Sequence, residues 1–185
     1  MTGQGCVVWL TGLPSSGKST LGGLLASELA RRGRRVELLD GDEIRRKLGR
    51  ELGFSREDRD ENVRRVAYVA GLLARHGVIV VVAMISPYRA IRAEARAEIG
   101  AFLEVHVACG RDECIRRDVK GLYRRALAGE IENFTGVSDP YEPPDHPELV
   151  VRTDQESQDQ SLGKLLGLLE HRGYVDGVAG VAWTT

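Results

Sequence analysis

Residues Gly12-Leu13-Pro14-Ser15-Ser16-Gly17-Lys18-Ser19, followed by Thr20, have the spacing G-x-x-x-x-G-K-[ST]. Such a loop turns its backbone N–H groups toward a nucleotide's phosphates at the positive end of a helix, where negative charge is favoured. Lys18 is long enough to reach the outer phosphates, and the Ser19 hydroxyl is a hard ligand for Mg²⁺. The loop requires a strand before it and a helix behind it. Residues 6–10 are an apolar run rich in strand formers, and Leu21, Leu24, Leu25 and Leu29 recur at helical spacing. The chemistry expected is binding of a nucleoside triphosphate.

Transfer of a phosphoryl group needs a metal anchor, a group that orients the acceptor hydroxyl, and charge stabilisation. Asp40-Gly41-Asp42 ends a second strand pattern, at the edge of an α/β sheet where ligands collect. One carboxylate can hold Mg²⁺, so that Ser19 and Asp40 form the metal pair, while the other accepts a hydrogen bond from the attacking hydroxyl. The alternative is a turn in which one Asp caps the next helix. Arg59 and Asn62 extend an apolar helix stripe back to its first turn, so both face inward. An inward guanidinium needs a partner, either a bound anion or an internal Asp or Glu; Arg45, one turn beyond Asp42, poses the same choice. Phe54 and Phe134 stand in polar, glycine-bearing surroundings. Paired rings of this kind either clamp a base between them or anchor loops at a core edge.

The elements that must position these groups follow from patterning. Strand-like runs at residues 36–40, 78–83, 102–107 and 149–151 alternate with helical stretches, which predicts an α/β fold. Its expected form is the three-layer P-loop NTPase arrangement, a five-stranded parallel sheet flanked by helices. The run at 78–83 has no alternation, so it is expected at the sheet centre, buried on both faces. Ser55 with Asp58, and Ser157 with Gln160, have the spacing of capping boxes opening two further helices. Residues 119–148 hold Pro140, Pro143, Pro144 and Pro147 and only a short helical pattern at 122–127, the composition of a functional loop, here a lid. One domain over residues 1–185 is expected, with a loose tail at 174–185 that includes Trp183.

Composition narrows the partners. A net charge of −1 gives no broad footprint for nucleic acid or anionic lipid. No apolar run reaches the ~20 residues of a membrane span, and the N-terminus enters its first strand too soon for a signal peptide. The cysteines Cys6, Cys109 and Cys114 form no C-x-x-C pair, which fits reduced thiols in a cytoplasmic protein. The histidines are scattered and suggest no metal cluster.

In order and spacing, five stretches resemble the adenylyl-sulfate kinase (APS kinase) family. They begin at Asp40-Gly41-Asp42-Glu43-Ile44-Arg45 and at Leu52-Gly53-Phe54-Ser55-Arg56-Glu57-Asp58-Arg59, the latter continuing through Asn62 to Arg65. Ile85-Ser86-Pro87-Tyr88-Arg89 and Arg117-Asp118-Val119-Lys120-Gly121-Leu122-Tyr123 come next. The last runs from Gly129-Glu130-Ile131 through Phe134-Thr135-Gly136 to Asp139-Pro140-Tyr141-Glu142. The resemblance implies ATP-dependent phosphorylation of the 3′-hydroxyl of adenosine 5′-phosphosulfate (APS), giving PAPS and ADP with Mg²⁺. It implies that Arg45, Arg59 and Asn62 hold the phosphosulfate and ribose, and that Phe54 and Phe134 sandwich the acceptor adenine. Lys120 would sit on the lid near the moving phosphate, Arg117 would pack on the ATP adenine, and Asp42 would orient the 3′-hydroxyl. Ile85, Ser86, Pro87, Gly121, Leu122 and Thr135 complete the acceptor site. Ser86 is read as a positioning hydroxyl, since in-line transfer needs no carrier and no base adjoins it in sequence. Partners compatible with the family are ATP sulfurylase and a second copy of the chain.

Pro14 and Ser15 stand where many relatives carry Ser and Gly, so the loop is expected to be stiffer. Ile91, Ile115 and Val119 also depart from the family pattern, at positions outside the proposed chemistry. Two other readings are a P-loop kinase of another small hydroxyl acceptor and a silent nucleotide-binding partner of ATP sulfurylase. The intact Arg59/Asn62 and Phe54/Phe134 sets oppose the first; intact Lys18, Ser19, Asp40 and Asp42 oppose the second.

Overall fold

The structure, a computed structural model, describes residues 4–176. Strands β1 (Cys6–Thr11), β2 (Val36–Asp40), β3 (Ile79–Ala83), β4 (Phe102–Ala108) and β5 (Leu149–Arg152) form one sheet in the order β2-β3-β1-β4-β5. Every pairing is parallel. The helices are α1 (Lys18–Arg31), α2 (Gly41–Leu48), α3 (Arg56–Arg75), α4 (Arg89–Ile99), α5 (Arg111–Arg117), α6 (Leu122–Leu127) and α7 (Gln158–His171).

β1 and β3 are buried along their whole length, which accounts for their unbroken apolar sequence. Their side chains alternate between two cores. Cys6, Val8 and Leu10 face Leu21, Leu25 and Leu29 of α1 and Leu165 and Leu169 of α7. Val7 and Trp9 face Val63, Val66 and Ala70 of α3 and Ile91 and Ala95 of α4. Both caps form. The Ser55 hydroxyl accepts from Asp58 N–H, and Ser157 exchanges two bonds with Gln160 in a complete capping box.

The two helices α4 and α5 have no counterpart in the sequence reading. In α4 the buried face carries Arg92 among Ile91, Ala95 and Ile99, so a charge interrupts the stripe that would have announced it. The tail is tighter than expected at its start: Val175 is buried and Tyr174 packs on the α1/α7 core. The remainder, with Trp183, lies outside the described residues. No helix among the described residues is long and apolar enough to cross a membrane.

Parallel strands bring every carboxyl end to one edge, and the phosphate-binding loop leaves β1 between the ends of β3 and β4. That loop lies directly on β4. A Cβ built on Gly12 would stand 2.4 Å from the Val107 carbonyl oxygen and 2.8 Å from Ser16 Oγ. Gly12→Ala must therefore push the loop off the sheet. The expected outcome is a loss of about 1–3 kcal/mol in urea unfolding, together with weakened nucleotide binding in a titration of the folded fraction.

Candidate active site

The strand ends and the segment around α6 enclose a cleft of about 830 Å³. Pro14, Ser15, Gly17, Lys18, Ser19 and Thr20 line one end. Of the rest of the loop, Ser16 is buried, Gly12 abuts β4, and Leu13 packs beneath α6. Lys18 opens α1 and turns back over its own loop, donating to the carbonyls of Gly12 (2.9 Å) and Leu13 (2.6 Å) and to Ser16 Oγ (3.3 Å). Burial pushes its ammonium down to about 8.

Ser19 Oγ donates to Asp40 Oδ2 at 2.6 Å, while Asp40 Oδ1 accepts from the Asp42 N–H at 3.0 Å. Asp40 thus caps α2, as the turn alternative expected, and the same side chain holds the Ser19 hydroxyl. Two hard oxygens side by side suit Mg²⁺, which keeps several waters and takes phosphate oxygens for the rest. Among the described residues no cluster of acids, histidines or cysteines could hold a metal without such help.

The other end of the cleft is lined by Asp42, Arg45, Phe54, Arg59, Ile85, Ser86, Pro87, Phe134 and Thr135. Lys120, on the segment before α6, forms an ion pair with Asp42 across the opening; the two side chains are 57 % and 61 % exposed. Leu122 also lines the cleft, and Gly121, at φ 66°, caps the start of α6. Ser86 ends the β3 turn at φ 40° with its hydroxyl accepting from the indole N–H of Trp9 at 2.9 Å.

The two arginines take partners that neither sequence alternative named. Arg45 donates to the carbonyls of Leu52 (3.3 Å) and Gly53, and its guanidinium lies 4.3 Å from the Phe54 ring centre. Arg59 donates to the Phe54 carbonyl at 3.0 Å, to Thr135 Oγ1 at 3.0 Å and to the Asn133 carbonyl. Neutral oxygens, carbonyls and the Thr135 hydroxyl, satisfy both guanidinium groups. Phe54 is 57 % exposed, whereas Phe134 is buried edge-on to Tyr123 with ring centres 5.1 Å apart. Both rings border the cleft. Asn62 does face inward but does not line it: its buried Oδ1 has no hydrogen-bond partner and lies close to Gly49.

Arg117 lies at the loop end of the cleft, where it donates to Thr153 through Oγ1 (3.2 Å) and the carbonyl (2.7 Å). Thr153 Oγ1 in turn donates to the Ser16 carbonyl at 2.7 Å, and Thr153, Glu156 and Gln158 complete this wall. Sequence reasoning missed these three because they follow the short β5 with no motif of their own. It also missed a pattern in the backbone. The non-glycine residues with positive φ among the described residues are Ser15 (60°), Ser86 (40°), Asp118 (20°) and Asn133 (53°), and all four line the cleft. Such conformations are uncommon for residues with a side chain and concentrate where structure is over-determined for function.

Residues 4–152 match the family model described as adenylylsulphate kinase. An adenylyl-sulfate kinase of Gloeothece citriformis is 53 % identical over 175 residues, covering 95 % of this chain and 99 % of its own length. A probable bifunctional SAT/APS kinase of Sorangium cellulosum is 56 % identical over 172 residues, covering 93 % of this chain but 30 % of that longer protein. The structure of the Mycobacterium tuberculosis APS kinase in complex with AMPPNP and APS superposes with a TM-score of 0.87 at 43 % identity, covering 91 % of this chain and 99 % of that one. A match that spans residues 4–152, with relatives more than half identical over nearly the whole chain, leaves one conclusion: the chain belongs to the adenylylsulphate kinase family.

Proposed function

We infer that the two ends of the cleft are the donor and acceptor sites of a single phosphoryl transfer. The chain phosphorylates APS on its 3′-hydroxyl with ATP, releasing PAPS and ADP. The observation that carries the residue assignments is the position of Asp42. It lines the cleft two residues from Asp40, which accepts from Ser19 of the phosphate-binding loop.

At the donor end, loop amides and Lys18 hold the β- and γ-phosphates, and Arg117 with Thr153 bounds the adenine. Ser19 and Asp40 would hold Mg²⁺, which when bound shields the phosphate charge and braces the leaving group. At the acceptor end, Arg45 and Arg59 exchange their carbonyl partners for the anionic arm of APS, and Phe54 and Phe134 flank its adenine. Asn62, with its free Oδ1, supports the ribose side from behind. Ser86, Ile85 and Pro87 form the floor, with Thr135 and Leu122 above.

The chemistry is then an in-line displacement. The 3′-oxygen forms a bond to the γ-phosphorus as the bond to the β-phosphate oxygen breaks, and the hydroxyl proton passes to the Asp42 carboxylate. Before this, Lys120 must leave Asp42. Both side chains are exposed, so the pair costs little to break, and Lys120 is released to meet the charge on the moving phosphoryl group. We place the lid at residues 119–133, narrower than the 119–148 expected from composition, with Asp118 and Asn133 at its ends. Residues 139–142 are fastened to the turn after β3: Tyr88 donates to Asp139 at 2.9 Å and Glu142 N–H to the Pro87 carbonyl at 2.8 Å. Closure excludes water that would otherwise hydrolyse ATP.

Association with ATP sulfurylase and pairing of two copies belong to the same proposal; the bifunctional Sorangium relative supports the first. Unbridged Cys6, Cys109 and Cys114 support a reducing, cytoplasmic setting.

The direct test is ADP release from the purified protein with ATP and Mg²⁺, with and without APS. APS-dependent release that EDTA abolishes is expected; release indifferent to APS would refute the assignment. Asp42→Asn should lower kcat by about a hundredfold or more with ATP affinity intact, whereas Lys18→Ala should impair both. The depressed Lys18 pKa adds a pH signature. Bound phosphates restore the lysine's charge, so ATP affinity should be flat below about pH 8 and fall roughly tenfold per unit above it, with proton uptake measurable by calorimetry in two buffers. Folding has the opposite sign. Free Lys18 binds its proton less readily than in the unfolded chain, so its contribution to stability improves as pH rises through about 8 toward 10.5.

A further inference from the structure

Behind the acceptor floor lies a charged group that the mechanism above leaves unused. Arg92, on α4, is 2 % exposed. Its Nε donates to Glu104 Oε1 on β4 at 2.7 Å, one terminal nitrogen donates to the Ser86 carbonyl at 2.6 Å, and the other to the Glu142 carbonyl at 2.7 Å. Glu104 is held in turn by Arg96 at 3.4 Å, and Arg96 pairs with Glu148. Burying an ion pair is weak evidence for a stabilising role, because desolvation offsets most of the attraction. A guanidinium differs from a hydrophobic side chain in geometry: its planar fork fixes three acceptors relative to one another.

The acceptors are informative. Ser86 has a positive φ that a serine does not adopt without support, and its hydroxyl is held from the opposite side by Trp9, the residue beside Glu104 in the β1–β4 ladder. Glu142 belongs to the fixed root of the lid segment, where its carboxylate accepts from Arg89 N–H at 2.7 Å. Arg92 therefore ties the acceptor floor, the lid root and the central sheet into one frame without lining the cleft itself.

We propose that Arg92 is a positioning residue of the transfer reaction, setting the Ser86 turn and the lid root at the spacing APS requires while leaving the ATP end untouched. The inference rests on the APS reading of the cleft. The double substitution Arg92→Met with Glu104→Gln removes both buried charges at similar volume, so neither charge is left buried without a partner. The expected result is a KM for APS raised roughly tenfold or more and a lowered kcat, since small misplacements at a reacting centre are costly. The ATP dissociation constant, measured without APS, should stay within about twofold of the parent.

A folded variant with unchanged APS parameters would overturn the proposal, and so would equal losses for ATP and APS, which mark general loosening. If the double variant does not fold, Arg92→Lys is read the same way, since a compact ammonium on a shorter reach lacks the rigid planar fork that meets the Glu104, Ser86 and Glu142 oxygens from three separate nitrogens. Failure of both to fold would make Arg92 a folding residue and overturn the proposal too. The parent protein is the control: no APS-dependent turnover there would refute the substrate assignment itself.

Discussion

Because every strand runs parallel to its neighbours, each strand–helix connection carrying a functional group leaves the sheet on one edge. The phosphate loop follows β1, Asp40 ends β2, Ile85-Ser86-Pro87 follow β3 and Thr153 follows β5. The two ends of the cleft are thus consequences of strand order. β1 sits between β3 and β4, so its loop opens toward the acceptor floor on one side and toward Arg117 and Thr153 on the other. The buried apolar runs of β1 and β3 are what keep that edge rigid enough for a one-bond displacement.

Rigidity alone would not shape the floor, and the backbone shows where extra constraint is spent. Ser15 adopts φ 60°, so the serine accepts a left-handed conformation that glycine takes freely. The stiffer loop expected from Pro14 and Ser15 is thus also a strained one. Ser86 is similar, but its strain is contained by Trp9 on the hydroxyl and Arg92 on the carbonyl. Asp118 anchors its own conformation differently, accepting from the Tyr123 and Arg124 N–H groups at 2.9 and 3.0 Å. Asp118 and Asn133 thus both hold a positive φ, one on each side of the segment that carries α6.

Most of the donor end was legible in the sequence because it is local: the loop, its lysine and its serine lie within one motif, and Asp40 ends a recognisable strand. The capping residues Ser55 and Ser157 were legible for the same reason. The acceptor end was legible as residue types but not as pairings. Arg59 meets Asn133 and Thr135 more than seventy residues away in the chain, and no periodicity announces a carbonyl as the partner of a guanidinium. The helix α4 escaped detection because Arg92 stands in its buried stripe, and the group that hid the helix is the one that braces the floor. Where a local rule is broken in a well-packed protein, function is the usual reason.

Two ion pairs show how one site can be both fixed and mobile. Lys120–Asp42 joins long, exposed side chains across the cleft mouth, where water competes for both charges and the pair opens readily. Arg92–Glu104 lies under the floor, where losing Glu104 would leave the Arg92 guanidinium without a carboxylate and away from water, so the pair is costly to break. Burial, not the chemistry of the charges, separates the part that moves from the part that holds. The transfer proposed above uses both: an exposed contact weak enough to break when substrate enters, and a buried frame stiff enough to keep the acceptor hydroxyl in line with the phosphorus.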